Sequence, residues 1–154
     1  MSKNERHRWI LVGVDFSRPA RQALIRAYAM ARESGDRLMV LHVVDVHGLD
    51  EVARLLEVSP EELHERLALE RRRRLAEFLV EVEDGSPDVP VTEPVIAWGV
   101  PFEVIVRKAT DIGASMIVLG TMGRSADLER ALFGSTAEKV LRSAPCPVLC
   151  VPTE

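Results

Sequence analysis

GTMGRSADLERALFGST, from Gly120 to Thr136, is the stretch that decides the fold. Before it runs Met116-Ile-Val-Leu119, an apolar run with the character of a buried strand, and after it Ala137, Val140, Leu141 and Ala144 recur at helical spacing. Glycines therefore mark both ends of a strand-to-helix connection. Glycine lets another group approach the bare backbone, and a helix N-terminus carries unpaired N–H groups with partial positive charge. The expected chemistry is an anion site, most simply for phosphate.

Working outward, the upstream chain repeats the same alternation. Trp9 to Val14 is a short apolar run without polar alternation, as in a parallel strand covered on both faces. Ser17 is placed to cap a helix with Pro19 in its first turn, and Ala20, Ala23, Leu24, Ala27, Tyr28 and Ala31 form its stripe up to Gly35. Leu38 to Val44 is a second strand, closed by Asp45. Two helices are expected between Val46 and Gly85: a short amphipathic one on Leu49, Val52, Ala53 and Leu56, and a long one opened by the capping box Ser59-Pro60-Glu61-Glu62 and running to about Val82. Val91 to Trp98 is a third strand, and Pro94 within it requires a sheet edge. A helix from Pro101 with Val104, Ile105, Ala109 and Ile112 inward leads to the fourth strand, and Val148 to Val151 is the last.

Strands alternating with helices imply an α/β fold with a parallel sheet covered on both faces, here as one domain over residues 1–154. An apolar last strand left open at the sheet edge is an aggregation hazard. Pairing Val148 to Val151 with the same strand of a second copy covers it, so a homodimer is expected.

Composition excludes several classes. A net charge of -4 gives no basic surface for nucleic acid, and no run approaches the ~20 apolar residues of a membrane span. The N-terminal segment breaks at Asp15 without a cleavage-site pattern, so a cytoplasmic location is expected. Arg71 to Arg74 reads as a solvated helix face, because Glu70 and Glu77 lie at helical spacing from Arg73 and Arg74. Cys146 and Cys150, read as one strand, would be about 13 Å apart, too far for a disulfide. His7, His42, His47 and His64 show no paired ligand spacing on a common helix.

Together these residues resemble the universal stress proteins. The likeness runs from Ile10-Leu-Val-Gly-Val-Asp-Phe-Ser17 through Leu41-His-Val-Val-Asp45 and Gly99-Val-Pro101 to Pro145-Cys-Pro-Val-Leu-Cys-Val-Pro152. Nucleotide-binding members of that family carry two glycines separated by two residues, then nine residues, then Gly-Ser or Gly-Thr. Gly120, Gly123 and Gly134-Ser135 match, with ten residues between Arg124 and Phe133 in place of nine. Ser115 stands where many relatives place an acidic residue.

The resemblance implies a three-layer, open five-stranded parallel sheet of order 3-2-1-4-5, of the adenine nucleotide alpha hydrolase-like, Rossmann-like kind. Strand order reverses between strands one and four, where ligands of open α/β sheets bind. It further implies that Gly13, Val14, Asp15 and Val43 frame adenine and ribose, that Leu119, Gly120, Gly123 and Arg124 continue the cradle, and that Gly134, Ser135 and Thr136 hold phosphates. Two local readings stay open. Asp15 can make a turn before Ser17, and Ser135-Thr136-Ala137-Glu138 is itself a capping box.

ATP brings about four negative charges, whereas Arg124 and Arg130 are offset by Asp127 and Glu129, so amides, the helix dipole and Mg²⁺ are expected to carry binding. No Walker lysine is present, so at most slow hydrolysis is expected. The expected function is an ATP-binding regulator acting on a protein partner. The alternative is a nucleotide-free dimerisation or adaptor module. A phosphorylated receiver domain is disfavoured, because strand three ends in Trp98-Gly99 and strand five lacks a terminal lysine.

Overall fold

The apolar run at Trp9–Gly13 is the centre of the molecule, and its lack of alternation is explained by what lies on either side. Ile10 and Val12 face one core and Leu11 the other, all three almost fully buried. A computed structural model of the chain describes residues 7–83, 88–121 and 134–153. In chain order the elements are β1 (Trp9–Gly13), α1 (Arg18–Ser34), β2 (Arg37–Asp45), α2 (Leu49–Leu55), α3 (Pro60–Glu83), β3 (Thr92–Gly99), α4 (Pro101–Ile112), β4 (Met116–Gly120), α5 (Ser135–Ser143) and β5 (Val148–Val151).

The five strands form one parallel sheet of order β3-β2-β1-β4-β5. Helices α1 and α3 cover one face, through the whole expected stripe of α1 and through Leu75, Phe78, Leu79 and Val82 of α3. Helices α4 and α5 cover the other through Val104, Ile105, Ala109, Ala137 and Val140. The α1 start and stop are as the residue types require. The Ser17 hydroxyl accepts from the Ala20 amide at 3.3 Å, and Gly35 takes the left-handed conformation, φ 75°, that closes the helix. Pro94 lies on edge strand β3, opposite Val40, where a missing donor breaks no central ladder.

Other expectations need correction. Helix α2 buries only Ala53, while Val52, Leu55 and Leu56 are exposed, Leu55 to 80%. Leu141 of α5 is also exposed, so the α5 stripe is narrower than its sequence spacing implies. Cys146 precedes β5, and only Cys150 lies in the strand; both are free and half-buried, with their thiol pKa values raised by burial. In the arginine run, Arg71 pairs with Glu70 and Arg73 with Glu77, but Arg74 stacks its guanidinium 4.6 Å from the Phe16 ring centroid. At Ser115 both the amide and the hydroxyl donate to the Trp9 carbonyl, which ties the start of β4 to β1. Among the described residues no helix is long and apolar enough to cross a membrane.

Candidate functional site

In a parallel sheet every strand points its carboxyl end the same way, and here β1 is flanked by β2 and β4 whose connections leave toward opposite faces. The gap this opens beyond Gly13 and Gly120 is a cavity of about 1340 Å³. Every expected site residue within the described segments lines it: Gly13, Val14 and Asp15 from the end of β1, Val43 from β2, Leu119 and Gly120 from β4, and Gly134, Ser135 and Thr136 at the start of α5. Gly123, Arg124 and the extra residue between Arg124 and Phe133 lie outside the described residues.

The glycines have separate reasons. A Cβ at Gly13 would lie 2.7 Å from Leu119 Cδ2, so β4's leucine crosses over the end of β1 and makes part of the floor. A Cβ at Gly120 would lie 2.3 Å and 2.4 Å from the carbonyl carbon and oxygen of Pro19, so this glycine admits the first turn of α1 rather than a ligand. At Gly134, φ is -55° and nothing lies within 4 Å of the Cβ position. Neither backbone conformation nor packing against described residues requires glycine there.

Asp15 does make the local turn. Its Oδ1 accepts from the Ser17 amide at 3.0 Å and from the Ser17 hydroxyl, while Ser17 Oγ accepts from Ala20 N. The turn and the placement at the cavity are compatible, since this relay holds the carboxylate at the rim. The capping reading of Ser135 is corrected. Gly134 is the N-cap, Ser135 is the first helical residue, and among the described residues no side chain caps the helix. Glu138 N donates to Gly134 O, and the first amides of α5 are left facing the cavity end of the helix.

Arg18 and Thr121 also line the cavity, and nothing in the sequence motif assigned them to it. Arg18 is the only basic side chain among the described lining residues, beside the acids Asp15 and Asp45. Its signal was its position directly after the Ser17 cap, at the first turn of a helix whose N-terminus faces the same gap. Thr121 continues the β4–β5 pairing, its amide donating to Val151 O at 3.0 Å, and is buried. Among the described residues no group of three or more His, Cys, Asp or Glu side chains is arranged to hold a metal ion.

Residues 7–152 match the family model described as the universal stress protein family. The chain belongs to the universal stress protein family. A universal stress protein of Staphylococcus aureus strain USA300 is 33% identical over 152 residues, covering 94% of this chain and 84% of its own. Among solved structures, hypothetical protein MJ0577 superposes with a TM-score of 0.75 at 28% identity, over 96% of this chain and 97% of that one. The universal stress protein from Archaeoglobus fulgidus in complex with dAMP gives 0.63 at 22% identity, over 94% and 97%, which shows a shared fold. The sheet order and the placement of helices on both faces are thus those of universal stress protein structures.

Proposed function

We propose that this universal stress protein binds ATP with Mg²⁺ in the cavity beyond β1 and β4, and that occupancy regulates its association with a protein partner. The observation that carries the reading is Gly134. Among the described residues nothing occupies the space beside its backbone and no side chain caps the N-terminus of α5 at which it sits, in the crevice that also holds Asp15.

The lining divides into two chemistries that suit such a ligand. Val14, Leu41, Val43, Ile105 and Leu119 offer an apolar surface for a base, with Asp15 at the rim able to accept from ribose hydroxyls. Gly134, Ser135 and Thr136 offer backbone N–H groups and hydroxyls to phosphates. Arg18 adds charge: α1 has no acidic residue in its first turn, whereas α2, α3, α4 and α5 each carry at least one. An arginine at a helix N-terminus costs about 0.3–1 kcal/mol against the dipole, a cost an anionic ligand offsets. Mg²⁺ would neutralise phosphate charge; Asp15 and Asp45 are the lining carboxylates among the described residues, so phosphate oxygens and water would supply most of its ligands. Any hydrolysis is slow in this reading, because the chain lacks a Walker lysine. A relative of the same fold in complex with dAMP supports an adenine nucleotide as the ligand class.

The same reading makes the protein a cytoplasmic homodimer paired through β5. Among the described residues β5 pairs only with β4, leaving its outer edge open. Equilibrium dialysis of ATP with and without Mg²⁺, with adenosine as comparator, tests the site. Saturable binding strengthened by Mg²⁺ is expected. Absence of saturable binding overturns the proposal and leaves the nucleotide-free adaptor. Mass spectrometry of nucleotide released by heat from freshly purified protein identifies the ligand independently.

A further inference from the structure

The turn from β1 to α1 holds an unusual backbone. Phe16 has φ 65°, in the left-handed region that bulky side chains rarely occupy and that persists only where surrounding contacts enforce it. Those contacts come from elements remote in sequence. The Phe16 ring lies 4.4 Å from the His42 ring and meets Phe78 edge-on at 5.7 Å, with the Arg74 guanidinium over it.

His42 also holds the residue on the other side of Asp15. Its Nδ1–H donates to the Val14 carbonyl at 2.8 Å, while the Val14 amide donates to Leu41 O at 2.9 Å. The carbonyl can only accept, which fixes the proton on Nδ1. Val14 is therefore bound at both backbone groups by neighbouring residues of β2, and Phe16 is stacked on one of them. Asp15 is suspended between these two fixed points.

His42 is only 8% exposed, and its Nε2 has no hydrogen-bond partner among the described residues. An aliphatic residue like its neighbours Leu41 and Val43 would fill the strand without leaving a buried nitrogen unpaired. What histidine adds is one directed donor and a flat face. It is not among the residues lining the cavity, so its effect must pass through Val14 and Phe16.

We propose that His42 is a positioning residue for the ligand site, holding the Val14–Ser17 turn so that the Asp15 carboxylate faces the cavity, with Arg74 of α3 clamping the turn from outside. The charged groups around it are Asp15 on the turn and Arg71 and Arg74 on α3; burial first, then the two guanidiniums, keep the ring neutral against the pull of the Val14 carbonyl and Asp15. The consequence for affinity rests on the nucleotide reading above; the consequence for turn order does not.

The test uses the full chain with His42→Phe, which keeps a ring but no donor, and His42→Asn, which keeps an N–H near the position of Nδ1. ATP affinity is measured beside hydrogen exchange of the Asp15, Phe16 and Ser17 amides. Expected for His42→Phe are about tenfold weaker ATP binding, as for loss of one buried hydrogen bond, and faster exchange confined to the turn; His42→Asn restores most of both. Unchanged exchange and affinity in His42→Phe overturn the proposal, as does failure of His42→Asn to rescue either. If wild type binds no ATP, the nucleotide reading fails and the exchange comparison alone decides this one. Should His42→Phe not fold, Arg74→Gln on the exposed face of α3 replaces it, with about two- to fivefold weaker binding and faster Phe16 exchange expected; no change in either overturns the proposal.

Discussion

Substituting Gly120 and Gly134 separately distinguishes a glycine needed by the fold from one left open for a ligand. In Gly120→Ala the new methyl would sit 2.3 Å from the Pro19 carbonyl carbon, 2.4 Å from its oxygen and 2.8 Å from Ala20 N, where ordinary contact begins at 3.4 Å. The obstacle is backbone, so α1 and β4 must separate by roughly 1 Å, an overpacking strain of about 1–3 kcal/mol. For a chain of this size that lowers Tm by about 2–12 °C. In Gly134→Ala the methyl meets nothing within 4 Å among the described residues, and φ is already -55°. Poorer N-capping by alanine costs up to ~1 kcal/mol, and the lower entropy of the unfolded chain returns about 0.4–1 kcal/mol, so Tm should stay within about 3 °C. Thermal unfolding and ATP dialysis on the same samples should therefore separate the pair: Gly120→Ala loses stability, while Gly134→Ala keeps it and binds ATP at least about tenfold more weakly, or ~1.4 kcal/mol. A Gly134→Ala protein that is the less stable of the two, or that binds ATP as wild type does, would refute the assignment.

Arg18→Gln should weaken ATP about three- to tenfold and adenosine hardly at all, a difference that shrinks with added salt; equal losses for both ligands on calorimetry would remove Arg18 from the phosphate end. The pKa of His42 is lowered from 6.5 by burial, so the unfolded chain binds the proton more readily and stability present above about pH 6.5 is lost as pH falls below it. Urea unfolding at pH 7.5 and 5.5 should show this loss, and His42→Phe should reduce it; an undiminished loss in His42→Phe would mean that other groups carry it. At β5, Ile117 N bonds Pro147 O and Thr121 N bonds Val151 O, so by parallel alternation Cys150 turns its backbone N–H away from β4. Cys150→Pro should therefore leave the β4 ladder intact yet convert dimer to monomer in light scattering at micromolar concentration, and a wild-type monomer or an unaffected dimer would count against the β5 interface.

The elements whose cause is local were legible in the sequence. The stripe of α1 was readable because six small or apolar residues at helical spacing match a single buried face, and the edge position of β3 because Pro94 cannot donate. Helix α2 shows the limit of periodicity: Val52 and Leu56 have the right spacing, but spacing names a face without saying that anything covers it, and only Ala53 is buried. Ser135 shows another limit. A capping box fits a serine at the N-cap, yet the helix begins one residue earlier than that reading needs, with Gly134 as the cap.

What escaped the sequence lies where the fold joins residues far apart in the chain. Phe16, His42 and Arg74 lie in the β1–α1 turn, β2 and α3, and each passes locally for something ordinary: a residue of the segment after a strand, one of four histidines, one of four successive arginines. Only the parallel register of β1 with β2 and the packing of α3 over the same face bring them around one turn. The arginine run is thus not uniform. Arg73 serves the surface through Glu77, whereas Arg74 reaches the back of the turn whose front holds Asp15. A motif at the mouth of the cavity names the residues that line it, but the conformation of that lining is set from the opposite face of the sheet, where no motif points.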